Sequence, residues 1–270
     1  MVIGMELVKC YVKFCQHRQH IETSSELDLT DEIFIYPSTF TPLLAYLLAL
    51  DSDKIPIKWP KDESVKNYML TILRSAKTGK KGATYIPFIP LPKEKTQADK
   101  ILTEFWRLVG EDEFIKNNYS SLNYVLGEFV SNIYEHSEFT NAYIMAQKYS
   151  SKGFVELCVV DDGITIPGSF NKHGYNYNDN EHAQAIRDAI NGKSTKGPDR
   201  GFGLGTSANI IYKGFKGEIL VVSCLGAVGI SQKGMQPYIL RESMRYNGTL
   251  IAVRVPLITE KVDLYAYIEQ

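Results

Sequence analysis

The sequence predicts an α+β protein in which a mixed sheet packs against helices, preceded by a small α/β domain. Three observations predict this fold. In residues 1–76, short apolar runs alternate with segments of helical periodicity. Residues 85–92 read YIPFIPLP, and three prolines in six residues exclude a helix there. Beyond this stretch, helical segments are followed by several strand candidates, a pattern typical of an α+β sandwich.

The length of 270 residues is enough for two domains. We place a small α/β domain at residues 1–76, a proline-rich connection at 77–98, a larger domain at 99–258 and a short tail at 259–270. The basic KTGKK stretch at residues 77–81 is best explained as part of a solvated connection.

Composition excludes several classes of protein. A formal net charge of -1 argues against a protein that coats nucleic acid or an anionic membrane. The longest apolar run, residues 43–50, is far shorter than the roughly 20 residues of a membrane-spanning helix. The N-terminus lacks the pattern of a secretory signal, and four cysteines are too few for a disulfide framework. We therefore expect a cytoplasmic protein without a membrane or nucleic-acid partner.

The elements of the first domain follow in order. An apolar run at residues 33–36 predicts a buried strand that ends at a proline. A helix is expected from residue 41 to residue 50, with its proline in the tolerated first turn. A second strand at 54–59 and a second helix at 62–75 complete an alternation that predicts some parallel pairing.

In the larger domain, one helix is expected at residues 99–118. A second should begin at a capping Ser120 or Ser121 and run to about residue 136. Two further helices are predicted at 182–190 and 206–212. The strand candidates are residues 142–147, 154–160, 218–224, 237–240 and 249–255.

Three polar residues share one face of the helix that ends near residue 136. Glu128, Asn132 and His136 recur every four residues. Four residues advance about 400° around a helix, so these side chains drift only about 40° per step. A carboxylate, an amide and an imidazole on one face can act on a common ligand. The alternative is an ordinary solvated helix face.

Two later segments can also meet a ligand. The strand at 154–160 ends in DDGITIP, which places Asp161 and Gly163 at a strand end. A plain Asp-Gly turn is the alternative. Residues 200–206 read RGFGLGT, and alternate glycines before a helix let backbone N–H groups approach phosphates. Flexible loops also contain such glycines, so neither segment alone identifies a site.

In this order, ExxxNxxxH, a strand ending in DxG, and RGxGxG resemble the ATP-binding domain of the GHKL superfamily, the histidine-kinase-like ATPases of the Bergerat fold. The closing NGTLIAVRVP at residues 247–256 also resembles the last strand of that fold. The resemblance covers roughly residues 100–257. ExxxNxxxH particularly resembles the anti-sigma-factor serine kinases, a branch whose members are often dimers.

The resemblance implies a role for each matching residue. Glu128 matches the general base, and Asn132 matches the ligand of Mg²⁺. Asp161 matches the carboxylate that accepts a hydrogen bond from the adenine amino group. Gly163 matches the position where a side chain would collide with the base, and Thr249 matches the hydroxyl near the adenine.

The resemblance also implies a phosphate loop and, at residues 168–200, a lid over the ATP. Lys193, Lys196 and Arg200 in the lid can meet phosphate charge, and the alternative for each of them is a solvated position in the lid. Where many members have a second glycine after the DxG motif, this chain has Thr165, whose branched side chain stiffens the turn. The other residues expected to contact the nucleotide are His136, Lys196, Arg200, Gly201, Phe202, Gly203, Leu204, Gly205 and Thr206.

The N-terminal part more weakly resembles a STAS domain, the fold of anti-sigma-factor antagonists. In that family a serine or threonine just after a strand is phosphorylated. Here the matching strand is the one expected at residues 33–36, and Ser38 and Thr39 lie nearest that place. The same two residues can instead cap the next helix. A zinc cluster is a further alternative, but the spacing at Cys10, Cys15, His17 and His20 does not match the usual pairs.

These motifs together predict a regulatory protein that binds Mg²⁺ and ATP. It would hydrolyse ATP or transfer the γ-phosphate to a serine or threonine of a partner protein. The alternative is a non-catalytic module in which ATP gates binding to a partner. A homodimer is the expected assembly.

Overall fold

A computed structural model describes residues 5–50, 55–78, 88–109, 113–193, 195, 203–258 and 260–268. Within them, helices cover both faces of a seven-stranded sheet. The α+β class predicted from the sequence is therefore confirmed. No helix in these ranges combines the length and the apolar character needed to cross a bilayer.

The described residues of the N-terminal region form three helices and a short ladder. The helices are α1 (Glu6–Ser24), α2 (Pro37–Ala49) and α3 (Glu63–Thr78). The ladder pairs β1 (Leu27–Asp28) with β2 (Ile57–Lys58) in parallel. The parallel pairing expected of this region is thus present, but over only two residues of each strand.

The strand predicted at residues 33–36 is wrong. Ile33 is exposed, and α2 begins at Pro37 rather than at residue 41. Proline is favoured in the first turn of a helix because its missing N–H would have no partner there. The preceding residue, Tyr36, takes the extended backbone that proline requires, with ψ of 157°. The same proline that ends the apolar run therefore starts the helix.

Two long helices begin the C-terminal region. The break predicted near Ser120 is wrong, because one continuous helix contains both Ser120 and Ser121. Ser121 is buried in the middle of that helix, and its hydroxyl donates to the carbonyl oxygen of Val262 at 2.8 Å. The helices of this region are α4 (Lys95–Val109), α5 (Glu113–Asn132) with a π-helical turn (Ile133–Ser137), α6 (Ile166–Lys172), α7 (His182–Ile190), α8 (Gly203–Asn209) with a second π-helical turn (Ile210–Gly214), and α9 (Tyr265–Ile268).

The sheet has the order β3-β4-β5-β9-β6-β7-β8, and every neighbouring pair is antiparallel. The predicted mixed sheet is therefore wrong. Short turns join β4 to β5, β6 to β7 and β7 to β8, and short connections impose antiparallel pairing. The strands are β3 (Ile89–Pro90), β4 (Ala142–Tyr149), β5 (Phe154–Asp161), β6 (Glu218–Cys224), β7 (Gly226–Ser231), β8 (Gly234–Ile239) and β9 (Tyr246–Pro256).

Alternation along β5 shows how the two faces of the sheet are covered. Leu157 and Val159 pack in the cluster formed with α4, α5, α7 and α8. Cys158 and Val160 point the other way, into a cluster shared with α1 and α2. The first 50 residues thus cover one face of the sheet. Where the domain boundary lies, near residues 77–98 or elsewhere, stays a prediction.

Candidate functional site

A cavity of about 360 Å³ lies between the sheet and helices α5 to α8, which cover one face of the sheet. Its walls come from the ends of β5 and β9, the last turns of α5, one face of α6, and the adjoining ends of α7 and α8. Residues from four separate motif regions of the sequence therefore meet in one place. The predicted residues that line the cavity are Glu128, Asn132, His136, Asp161, Gly203, Leu204 and Thr249.

Other predicted residues lie elsewhere. Gly163 and Gly205 lie close against neighbouring backbone, and Thr206 is a half-buried residue of α8. None of these three is among the cavity-lining residues. Four predicted residues fall outside the described part of the chain, namely Lys196, Arg200, Gly201 and Phe202.

The three polar residues of α5 reach the cavity together. Glu128 and Asn132 belong to the α-helix, whereas His136 belongs to the π-helical turn that follows. Such turns inside helices occur often at functional sites. Nδ1 of His136 lies 3.4 Å from the hydroxyl of Thr195, across the cavity rim. The predicted common face is present.

Glu128 lies in a partly dehydrated position. Burial raises the pKa of its carboxyl group, and the nearby charge of Glu135 raises it further, while Lys95 opposes the shift. A side chain at Gly203, the first residue of α8, would overlap the Glu128 carboxylate. Backbone of the glycine segment therefore lies directly against this carboxylate.

Asp161 forms the floor of the cavity at the end of β5. Only 3% of its surface is exposed, and burial raises its pKa to about 7, with a further increase from the charge of Asp162. The backbone N–H of Gly163 donates to its Oδ1 at 2.9 Å. Thr249, on β9, is its direct partner in the antiparallel β5–β9 pair. A buried acceptor thus faces the cavity beside a threonine.

Gly163 is required by a close approach of backbone from the π-helical turn after α5. A side chain at this position would overlap the carbonyl oxygen of Ser137 in that turn. The next residue, Ile164, donates its backbone N–H to the same oxygen at 2.5 Å. The glycine therefore lets the strand end pack against the helix that carries Asn132 and His136.

Thr165, which stands where the resembled family often has a second glycine, has a structural role in this chain. It is the N-cap of α6, and its hydroxyl accepts a hydrogen bond from the N–H of Gly168 at 3.0 Å. Its φ of -70° suits any residue. The next residue, Ile166, donates its N–H to the hydroxyl of Ser223, which lies 3.1 Å from the hydroxyl of Thr249. The turn and Thr249 are thus held by one network.

Lys193, in the segment that the resemblance predicts to be a lid, lines the cavity. Its Nζ lies 2.6 Å from the hydroxyl of Tyr177 and 3.4 Å from a carboxylate oxygen of Asp188. The ring of Tyr175 faces the same ammonium group at 4.3 Å. These contacts hold a cation at the wall of the cavity.

Several lining residues were missed in the sequence. Val159 and Ile251 form apolar wall, and each lies two residues from a predicted residue on the same strand. A period of two along these strands would have found them. Ser131 and Glu135 lie three and seven residues after Glu128, a helical spacing that was also available.

Two alternatives from the N-terminal region find no support. Ser38 is fully buried and donates to Glu156, while Thr39 is 1% exposed and donates to the carbonyl oxygen of Cys10. Neither hydroxyl is accessible to a kinase in this conformation. The described residues contain no group of three or more His, Cys, Asp or Glu side chains arranged to hold a metal. His17 instead faces Glu32, at 3.0 Å.

Comparisons of the chain with protein-family models, with curated proteins and with solved structures found no match in any of the three. The resemblance to GHKL and STAS domains therefore stays a prediction from the motifs. A functional assignment depends on the chemistry of the residues that line the cavity.

Proposed function

We propose that the protein binds ATP with Mg²⁺ in this cavity, and that it hydrolyses ATP or transfers the γ-phosphate to a serine or threonine of a partner protein. One observation carries the proposal. Glu128, Asn132, Asp161 and Thr249 come from three separated stretches of sequence and line a single cavity of about 360 Å³. That volume falls in the range of small-molecule sites.

The floor of the cavity suits a purine base. Asp161 offers a buried oxygen acceptor to an amino group, and Thr249 supplies a hydroxyl beside it. Val159 and Ile251 supply apolar surface against which a flat ring can pack. A few oriented polar groups in an apolar pocket are the usual means of fixing a ligand.

The opposite end suits a triphosphate with its metal. Mg²⁺ takes oxygen ligands and keeps most of its coordination for water and phosphate. The amide oxygen of Asn132 fits this requirement, with the Glu128 carboxylate one helical turn away. Bound Mg²⁺ would offset charge on the phosphates. The backbone at Gly203 and the ammonium of Lys193 lie at the same cavity.

Glu128 would act on the attacking group. Its pKa is raised by burial, so the carboxylate is more basic than an exposed glutamate. It can therefore accept a proton from water or from a hydroxyl group. We further propose a cytoplasmic protein that acts on a regulatory partner, in the form of a homodimer.

The test measures ATP binding by calorimetry, with and without Mg²⁺, and release of phosphate from ATP. Glu128→Gln should lower turnover about 10²–10⁴-fold while leaving ATP bound. The matched control is Glu113→Gln, at the exposed start of the same helix, which should change neither quantity. Labelled ATP with candidate partner proteins separates hydrolysis from transfer.

Three outcomes are distinct. Turnover that depends on Glu128 supports the proposal. Tight binding of ATP with no turnover and no transfer to a partner identifies the non-catalytic module instead. A protein that binds no ATP overturns both functions.

A further inference from the structure

A serine, a glutamate and a lysine form a connected group at the rim of the cavity. Ser131 lies on the last turn of α5, and Glu135 lies in the π-helical turn. The hydroxyl of Ser131 donates to Oε1 of Glu135 at 2.8 Å. Nζ of Lys95, the first residue of α4, donates to that hydroxyl at 2.9 Å and to the same carboxylate oxygen at 3.2 Å.

This arrangement has the parts of an activated nucleophile. A hydroxyl within hydrogen-bond reach of a carboxylate, which a third group orients, is the general pattern of nucleophilic catalysis. A serine bonded to a glutamate four residues later also occurs on ordinary helix surfaces. Here, however, both side chains line the cavity.

The hydroxyl lies close to the residues assigned to the phosphates. Ser131 directly precedes Asn132 and follows Glu128 by three residues, and residues three apart are neighbours on a helix surface. A triphosphate bound between these two residues would bring its terminal phosphate towards the Ser131 hydroxyl.

We propose that Ser131 is the acceptor of an intramolecular phosphoryl transfer from a nucleoside triphosphate bound in the cavity. Oγ of Ser131 forms a bond to the terminal phosphorus, and the bond from that phosphorus to the β–γ bridging oxygen breaks. The bond electrons leave with the nucleoside diphosphate, and the hydroxyl proton passes to Glu135. The products are phosphoserine and a nucleoside diphosphate. This inference rests on the proposed function.

Lys95 favours the product. A phosphoserine carries close to two negative charges at neutral pH and pairs well with a cation within hydrogen-bond distance. The ammonium group of Lys95 already contacts the oxygen that would carry the phosphate. Glu135 would hold the transferred proton at first, which limits repulsion between the carboxyl group and the new phosphate.

The test incubates the full chain with Mg²⁺ and ATP labelled at the γ-phosphate, then maps the label by mass spectrometry. We expect phosphoserine at position 131, formed at a rate per chain that dilution does not change. Ser131→Ala should lose the label, and Glu135→Gln should slow its appearance about 10²-fold or more. The matched control is Ser120→Ala, an exposed serine earlier on α5, which should keep the label.

A conservative variant separates a chemical role from a structural one. Ser131→Thr keeps a hydroxyl, so the label should move from phosphoserine to phosphothreonine at the same position. Calorimetry on the wild-type chain separates the two proposals. ATP that binds and is hydrolysed without label at position 131 overturns this inference and leaves the proposed function standing, whereas absence of ATP binding overturns both.

Discussion

Two buried carboxylates on β5 have opposite surroundings. Glu156 points to the face covered by α2 and is fully buried. The backbone N–H and the hydroxyl of Ser38 both donate to its Oε1, at 2.9 and 2.6 Å, and Arg254 donates to its Oε2 at 2.7 Å. Asp161, at the end of the same strand, faces the cavity and has no ion pair among the described residues.

The difference shows which buried acid is available for binding. Every oxygen of Glu156 already has partners, so this residue joins the sheet to the start of α2 and offers nothing to a ligand. Burial raises the pKa of Asp161, and its side chain faces the open volume of the cavity. A buried carboxylate without a counter-ion costs stability, and proteins accept that cost mainly at functional sites.

The largest effect on stability should come from the paired acid. Glu156→Gln removes the negative charge and leaves Arg254, only 13% exposed, without its partner. Breaking a buried pair in this way costs about 3–5 kcal/mol of unfolding free energy. Urea unfolding measures the loss.

Removing both members of the pair separates the interaction from its surroundings. In Glu156→Gln with Arg254→Met both charges are gone, so the loss should be smaller than the sum of the two single losses. A single-variant loss below about 1 kcal/mol would contradict the assigned role, because that is the value of an exposed pair.

The next effect concerns the cavity acid and ligand choice. In Asp161→Asn the amide oxygen keeps the hydrogen bond from the N–H of Gly163, so the NH2 donor faces the amino group of adenine. ATP affinity should therefore fall about 10–100-fold. Inosine triphosphate has an oxygen in place of that amino group and should not lose affinity. Calorimetry with both nucleotides measures the change in preference.

The adjacent acid provides the control. The carboxylate of Asp162 accepts hydrogen bonds from the N–H groups of Thr140 and Asn141, each at 2.7 Å, outside the cavity. Asp162→Asn should therefore lower stability without changing the preference between the two nucleotides. Equal loss of both nucleotides in Asp161→Asn would show that Asp161 does not read the base.

The raised pKa of Asp161 also predicts how stability varies with pH. Its pKa is about 7 in the folded chain against an ordinary value of 3.8. Between these values the unfolded chain has released the proton that the folded chain retains, so stability falls as pH rises from about 4 to about 7. The full penalty, about 4 kcal/mol, is present above pH 7.

Asp161→Asn removes this penalty, because an amide does not ionise. The variant should gain stability relative to the wild type between pH 5 and pH 8, measured by urea unfolding without nucleotide. A stability difference that stays constant over this range would contradict the burial of an uncompensated carboxyl group at this position.

Local geometry explains which parts of the site the sequence could predict. Spacing of four on a helix was enough to place Glu128 and Asn132 on one face, because helix geometry needs no knowledge of the rest of the fold. Asp161 and Thr249 are 88 positions apart in the sequence, and only the order of the motifs suggested that they meet. Lys95 was missed because it reaches the rim through the packing of α4 on α5.

The elements of the fold also divide into those that local sequence determines and those that depend on distant contacts. The bounds of α7 and β6 were predicted correctly. Helix α1 was missed although Leu7, Tyr11 and Phe14 recur at helical spacing. The antiparallel order of the sheet depends on pairing between distant segments, including the insertion of β9 between β5 and β6, which composition and periodicity do not determine.

The smallest effect should come from the turn that follows Asp161. Thr165→Ala removes the N-cap of α6, and loss of such a cap costs about 1 kcal/mol. Because Ile166 and Phe170 of this helix line the cavity, hydrogen exchange should quicken in α6 while β5 stays protected. ATP affinity should fall by no more than about fivefold, which corresponds to the same free energy.

Thr165→Ser keeps a capping hydroxyl and should behave like the wild type. The cavity end of β5 is followed by a short capped helix, whereas Glu156 is joined to α2 by hydrogen bonds from Ser38 and to β9 by a buried ion pair with Arg254. If Thr165→Ala destabilised the whole chain as much as Glu156→Gln, the two ends of the strand would belong to one cooperative unit, and the cavity wall could not open separately from the core.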